Sequence, residues 1–310
     1  MFFPTFVQNV MEMKQKTPLE LGLKLLADRK IVRHNEYRFI GPNFGFVNSF
    51  IHMETNLLKI GQPYRIKEGR IAFVKQGMAR ISINLIEYTF EAYTLSVITP
   101  NSIIEIIEYS SDLDMQMMAI TEDFVLLQRR EELLNYFLPG NQSILIHLTD
   151  KERIQTEYFF NTLWNILQEP IFRQEVIQHL LVALVYNIDY ILKDNQHTNN
   201  SCLSRQEELF QRFISLVNTY SRTKRNVSFY AEKLCLTPRY LNTVIRKTSQ
   251  QTVMEWINQA VILEAKVLLK HSNLMIYQIA DELNYPNPSF FCKFFKRMTG
   301  ITPQEYQKLR

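Results

Sequence analysis

The chain has 310 residues, 46% of them apolar and 12% aromatic, which is enough for two or three folded cores and excludes a largely disordered protein. Its formal net charge of +4 is unevenly spread: residues 204 to 310 hold 16 Lys and Arg against 8 Asp and Glu, a surplus of eight, whereas residues 1 to 203 carry a small acidic excess. A polyanionic partner is therefore expected for the C-terminal third alone.

Met1-Phe2-Phe3-Pro4 brings no basic stretch and no small-residue cleavage site, and no run of 18 residues lacks polar interruption, so a soluble, cytoplasmic protein with no membrane partner is expected. From about Tyr37 to Gln128 the apolar period is near two. Arg80-Ile81-Ser82-Ile83-Asn84-Leu85 alternates, Arg70-Ile71-Ala72-Phe73-Val74 and Ser102-Ile103-Ile104-Glu105-Ile106-Ile107 are rich in strand formers, and Gly61, Gly69, Gly77 and Pro100 punctuate them. The pattern predicts a small barrel or sandwich, with Phe73 and Ile83 as core. A β-domain of this size either encloses a small effector or is filled by its own side chains. The segment has no His-x-His pair: His52 and Glu54 share one face of a predicted strand, and His34 and His147 stand alone. No metal, no cofactor and no catalytic residues are expected, and an enzyme is disfavoured.

Between about Asp150 and Lys193 the period lengthens to that of two helices. The second carries Val176, Leu180, Leu184, Ile188 and Ile191 on one stripe, with Ile177, Leu181, Val185 and Leu192 beside it. That stripe is either the face packed on the β-domain or a dimerisation surface. Residues 194 to 203, which begin Asp194-Asn195-Gln196-His197, read as an interdomain linker. Cys202, Cys235 and Cys292 show neither paired nor metal-ligand spacing, so reduced thiols are expected.

The C-terminal third repeats itself. Val227, Tyr230, Ala231 and Leu234 recur as Ile276, Ile279, Ala280 and Leu283, each set on the i, i+3, i+4, i+7 spacing of one helical stripe. After a break, Pro238, Tyr240, Leu241, Val244, Ile245, Arg246 and Lys247 match Pro288, Phe290, Phe291, Phe294, Phe295, Lys296 and Arg297. Each copy is a helix, a turn and a helix, with Thr237 placed to cap the second helix ahead of Pro238. The second helices present basic and small polar residues outward: Arg239, Asn242, Thr243, Arg246 and Lys247 in the first copy, and Asn287, Ser289, Cys292, Lys293 and Lys296 in the second. Arg and Lys suit guanine edges, Asn suits adenine, and Ser or Thr suits phosphate, so double-stranded DNA read through the major groove is the expected partner. RNA is disfavoured, because no aromatic platform interleaves the basic residues. Between the copies, residues 252 to 270 form a third helical pattern with Ile257, Val261, Ala265 and Leu268 on one face. Its length of roughly 28 Å can hold two reading helices near adjacent grooves.

Residues 204 to 310 resemble the DNA-binding domain of the AraC/XylS family of bacterial transcription regulators. The resemblance rests on Ile279-Ala280, Asn284-Tyr285, Phe290-Phe291, Phe294-Phe295-Lys296, Gly300, Thr302-Pro303 and Tyr306. Three positions depart from the family pattern. Asn284-Tyr285 stands where Gly-Phe is usual, Gln250 stands where a glycine is common and predicts a looser helix end, and Val261 replaces a residue that is often basic. The resemblance implies a cupin-like β-rich N-terminal domain, an activator that works with RNA polymerase at promoter DNA, and a homodimer. A small-molecule effector, a ligand-independent regulator whose barrel only assembles the dimer, and a cupin-type enzyme with an attached DNA-binding domain remain alternatives. The expected fold is thus α+β: a cupin-like domain (1 to 148), a helical dimerisation segment (149 to 193), a linker (194 to 203) and an all-α domain with two helix-turn-helix motifs (204 to 310).

Overall fold

The computed structural model describes residues 22–23, 34–52, 59–126, 143–198 and 204–309. Met1 to Pro4, Glu54 and Cys202 lie outside the described residues.

Eleven short strands in the described residues form two antiparallel sheets. The larger takes the order β1 (His34–Asn35), β2 (Arg38–Ile40), β3 (Phe44–Val47), β10 (Asp114–Ile120), β5 (Gly69–Gln76), β8 (Thr94–Ile98), β11 (Ile144–His147). The smaller takes the order β4 (Pro63–Arg65), β9 (Ile103–Tyr109), β6 (Ala79–Ile83), β7 (Ile86–Phe90). A helix α1 (Glu122–Leu126) follows β10. Strand β5 shows why the sheets pack as they do. Its alternate residues Ala72 and Val74 join Ile83, Phe90 and Ile98 in a core between the two sheets, while Ile71 and Phe73 point the other way. Both faces are covered, so β5 reads as an unbroken apolar run from Ile71 to Val74. The expectation of a small β-domain therefore takes the form of two facing sheets, with Phe73 and Ile83 in its cores.

Helices α2 (Asp150–Leu167) and α3 (Gln174–Thr198) cover the outer face of the larger sheet. Thr149 and Glu152 close a capping box at the start of α2, with the Thr149 N–H donating to Glu152 Oε2 at 2.7 Å. Two expectations are corrected here. Leu184 and Ile188 are fully buried and Ile191 is nearly so, packed with Phe46, Phe73 and Trp164, and Leu180 packs at the margin of the same core. They are the inner side of α3, not a free dimerisation stripe; of the five, only Val176 is exposed. The stretch Gln174–Asp194 is also long and apolar enough to cross a membrane by length and composition alone, and its inner side is buried against the sheet. Secondly, α3 runs on to Thr198, so the first half of the expected linker is helix.

The C-terminal region is helical throughout: α4 (Arg205–Tyr220), α5 (Val227–Lys233), α6 (Pro238–Ser249), α7 (Val253–His271), α8 (Ile276–Glu282), α9 (Pro288–Thr299) and α10 (Pro303–Lys308). Helix α7 is shared by two cores. Its first half gives Val253, Trp256, Ile257 and Ala260 to a cluster with Phe213, Tyr230, Leu241 and Ile245. Its second half gives Ile262, Ala265, Leu268 and Leu269 to a cluster with Ile279, Leu283, Phe291 and Phe295. Val261, where a basic residue is common in the family, is fully buried.

Candidate nucleic-acid interface

The pairs α5–α6 and α8–α9 are two copies of one unit. In each, the first helix has 7 residues and the second has 12. Each turn hinges on one residue in the left-handed region, Cys235 (φ 56°) in the first and Asn284 (φ 53°) in the second. Equivalent backbone bonds follow: Leu236 N donates to Ala231 O at 2.8 Å, and Tyr285 N to Ala280 O at 2.8 Å. Both second helices begin at proline behind a side-chain cap, Thr237 Oγ1 accepting from Tyr240 N at 3.2 Å and Asn287 Oδ1 from Phe290 N at 3.1 Å. Both end on a left-handed residue, Gln250 (φ 60°) and Gly300 (φ 82°), whose N–H groups bond Arg246 O at 2.9 Å and Lys296 O at 2.8 Å. The looser end expected at Gln250 is therefore corrected: the bond forms there as well, at the cost of a left-handed non-glycine residue.

The inward faces of α6 and α9 are Leu241, Val244 and Ile245, and Phe291 and Phe295. Arg239, Thr243, Arg246 and Lys247 on α6, and Ser289, Lys293 and Lys296 on α9, are exposed together on the outward faces. Two of the expected reading residues also have local partners. Asn242 is half-buried and its Oδ1 accepts from Val253 N at 3.3 Å, tying α6 to α7. Asn287 is the α9 cap just described. A polar residue of this type fits a cap and a base edge equally well, and spacing does not separate the two. Cys292 packs partly against the second core, and burial pushes its thiol up from the ordinary value. Tyr240 and Phe290 are 50% and 59% exposed at matched positions in the first turn of α6 and α9. Their equivalence in the repeat was the available signal; an exposed ring there can meet a thymine methyl.

The N-terminal half meets this region along one side of α7. Ile103 of β9 packs on Leu263 and Val267, together with Leu85. Leu85 sits with Asn84 in the two-residue β6–β7 turn, both at positive φ (74° and 49°), so a leucine is held in a strained backbone where it touches α7. Glu264 Oε2 accepts from Arg65 Nη2 of β4 at 2.5 Å and from Arg222 Nε at 2.9 Å. His271 Nε2 lies 2.7 Å from Pro63 O, and its ring lies 4.8 Å from that of Tyr64. A cavity of about 230 Å³ opens between the halves, lined by Arg65, Asn84, Thr99, Ser102, Asn218 and Glu264 among others. Among the described residues there is no group of three or more His, Cys, Asp or Glu placed to hold a metal ion.

Two matched helix-turn-helix units on one connecting helix define the class of a tandem helix-turn-helix DNA-binding domain. Residues 230–309 match a family described as "Helix-turn-helix domain". The chain is 23% identical over 161 residues, 52% of its length and 55% of the relative's, to the uncharacterized HTH-type transcriptional regulator YpdC of Escherichia coli K12. It is 24% identical over 143 residues, 46% of its length and 49% of the relative's, to the HTH-type transcriptional activator RhaR of Escherichia coli O139:H28. The chain thus spans about half the length of these curated relatives. Among solved structures, that of unsaturated fatty acid bound ToxT from Vibrio cholerae aligns over 86% of this chain and 93% of that one, at 16% identity and a TM-score of 0.40. The C-terminal domain of this chain is an AraC/XylS-type DNA-binding domain, of the kind that transcription regulators carry.

Proposed function

We propose that the chain is a sequence-specific transcription regulator, an activator that binds double-stranded promoter DNA through α6 and α9 and works with RNA polymerase in the cytoplasm. The observation that carries this reading is the pairing of two equivalent helices, each with an exposed basic outward face, on the single rod α7. Arg239, Thr243, Arg246, Lys247, Ser289, Lys293 and Lys296 make the DNA contacts. The reading is regulatory, not enzymic, and the similarity to an activator by name supports its direction. A homodimer through the exposed apolar residues of α2 and α3, with Tyr158 and Tyr190 each 70% exposed, completes the assembly. The cavity beside Glu264 favours response to a small effector, since a molecule there touches both halves at once.

The test is selection from a random duplex library with the full chain and, in parallel, with residues 204 to 310, which contain both helical cores. Enrichment of a motif with two blocks about one helical turn apart is expected, duplicated only for the full chain. Enrichment of no sequence by either protein refutes a specific regulator. A motif that is never duplicated refutes the N-terminal dimer.

A further inference from the structure

Resting on that reading, the two units need a fixed relative setting if one protein is to read two blocks of DNA in phase. Helix α7 sets their separation, and a second contact joins them directly. The turn between α4 and α5 reaches across to the turn of the second unit. Arg225 Nη2 donates to Leu283 O, and the Arg225 guanidinium lies 3.7 Å from the centroid of the Tyr285 ring. Asn284 Nδ2 donates to Thr223 O at 3.3 Å.

Both ends of this contact are anchored. On the first unit's side, Tyr230 Oη donates to Lys224 O at 2.6 Å, and Arg222 is held by Glu264 of α7. On the other, Tyr285 packs against Phe291 and Phe294 of the second reading helix, at centroid distances of 5.4 and 5.5 Å. A cation over an aromatic face attracts most strongly when both are shielded from water, and here the Arg225 Nε and Tyr285 Oη atoms are buried. The matched turn of the first unit differs in its residues: Cys235 and Leu236 stand where the second unit has Asn284 and Tyr285. The repeat is therefore broken where the second unit meets the first, and the residues that break it, Asn284 and Tyr285, are those that make the contact.

We propose that Arg225, Asn284 and Tyr285 are positioning residues for DNA reading: they brace the second helix-turn-helix unit against the first and so fix the spacing at which two sequence blocks are recognised. None of them need touch DNA for this. Loosening the brace leaves each block's base preference in place and broadens the spacing between blocks that the protein accepts.

The full chain and its Arg225→Ala, Arg225→Lys and Asn284→Gly variants are each put through the duplex selection. They are then measured on duplexes whose two blocks are moved apart or together by one base pair. Asn284→Gly keeps the left-handed turn and removes only the bond to Thr223, so it folds even where loss of Arg225 is harmful. The parent is expected to lose about tenfold in affinity for a one-base-pair change of spacing, the scale of a mismatched pair. In Arg225→Ala and Asn284→Gly that ratio falls to about threefold or less with the same bases selected in each block, and Arg225→Lys, which keeps the cation, recovers part of it. Variants that retain the parent's spacing ratio overturn the brace while leaving the regulator reading intact. A changed base preference within a block also overturns it, since that marks a reading role. A parent that selects no two-block motif overturns both.

Discussion

Cys235 and Asn284 hold the same left-handed backbone, φ 56° and 53°, at the same place in their two units, and only the second is of a residue type that tolerates it well. The first turn is therefore strained where the second is not. Cys235→Gly is expected to raise stability by about 0.5–1 kcal/mol, because the residue is exposed and its side chain has little to lose. The opposite holds at the helix ends: Gly300 has φ 82° and open space around it, so Gly300→Ala costs about 1 kcal/mol from the backbone alone. Chemical denaturation of the two variants beside the parent checks both signs.

Glu264 is the point at which both halves and the first unit meet. Glu264→Gln takes away the charge that Arg65 and Arg222 share and is expected to cost about 2 kcal/mol, with Arg65→Ala close behind. Arg222→Ala costs less, under about 1 kcal/mol, since its side chain is 40% exposed and screened by water. The expected signature is a split of one unfolding transition into two as the N-terminal half separates from α7. A single unshifted transition in Glu264→Gln would show that the apolar contact of Ile103 with Leu263 and Val267 holds the halves unaided.

His271 gives the same junction a pH dependence. Burial, opposed by the bond to Pro63 O and helped by the nearby Lys270 charge, holds its imidazole below the ordinary value of 6.5. The separated state takes up the proton first, so the contribution of His271 is complete above that value and is lost as pH falls below it. Thermal unfolding between about pH 7.5 and about pH 5.5 should show a midpoint that falls on the acid side, and His271→Gln should flatten that fall. An identical fall in the variant would move the dependence to other groups.

Reading and positioning contacts separate by their response to sequence and salt. Arg239→Ala is expected to lose about 1–3 kcal/mol on the best site and to relax preference at one base. Lys296→Ala is expected to weaken all duplexes alike and to reduce the salt slope by about 1. Titrations at several salt concentrations on specific and scrambled duplexes distinguish the two; a uniform loss in both variants removes the division of labour.

The helix-turn-helix pair was legible because its signals are local. Apolar spacing, Thr237 before Pro238 and a turn residue at Asn284 lie within a few residues of what they determine. Covering partners were not legible: the stripe through Leu184 and Ile188 has the same period whether a sheet or a second copy lies over it. Strand period likewise marks the β-domain from about Tyr37 to Gln128 without saying that its strands divide into two sheets. Asn242 and Asn287 show a third limit, since a short amide answers a backbone N–H as readily as a base. The junction at Glu264 and the bridge from Arg225 to Tyr285 join residues far apart in the chain, and no periodicity reports such pairs.

The sharing of α7 between two cores makes that helix a phase device. One residue inserted near Val261 would advance everything beyond it by about 1.5 Å and turn it by about 100°, carrying α9 off the side of the duplex that α6 faces. On the proposed reading, changes in the length of α7 alter which side of the DNA the second unit can see. Descendants of this chain can therefore vary the letters of that helix far more freely than their number.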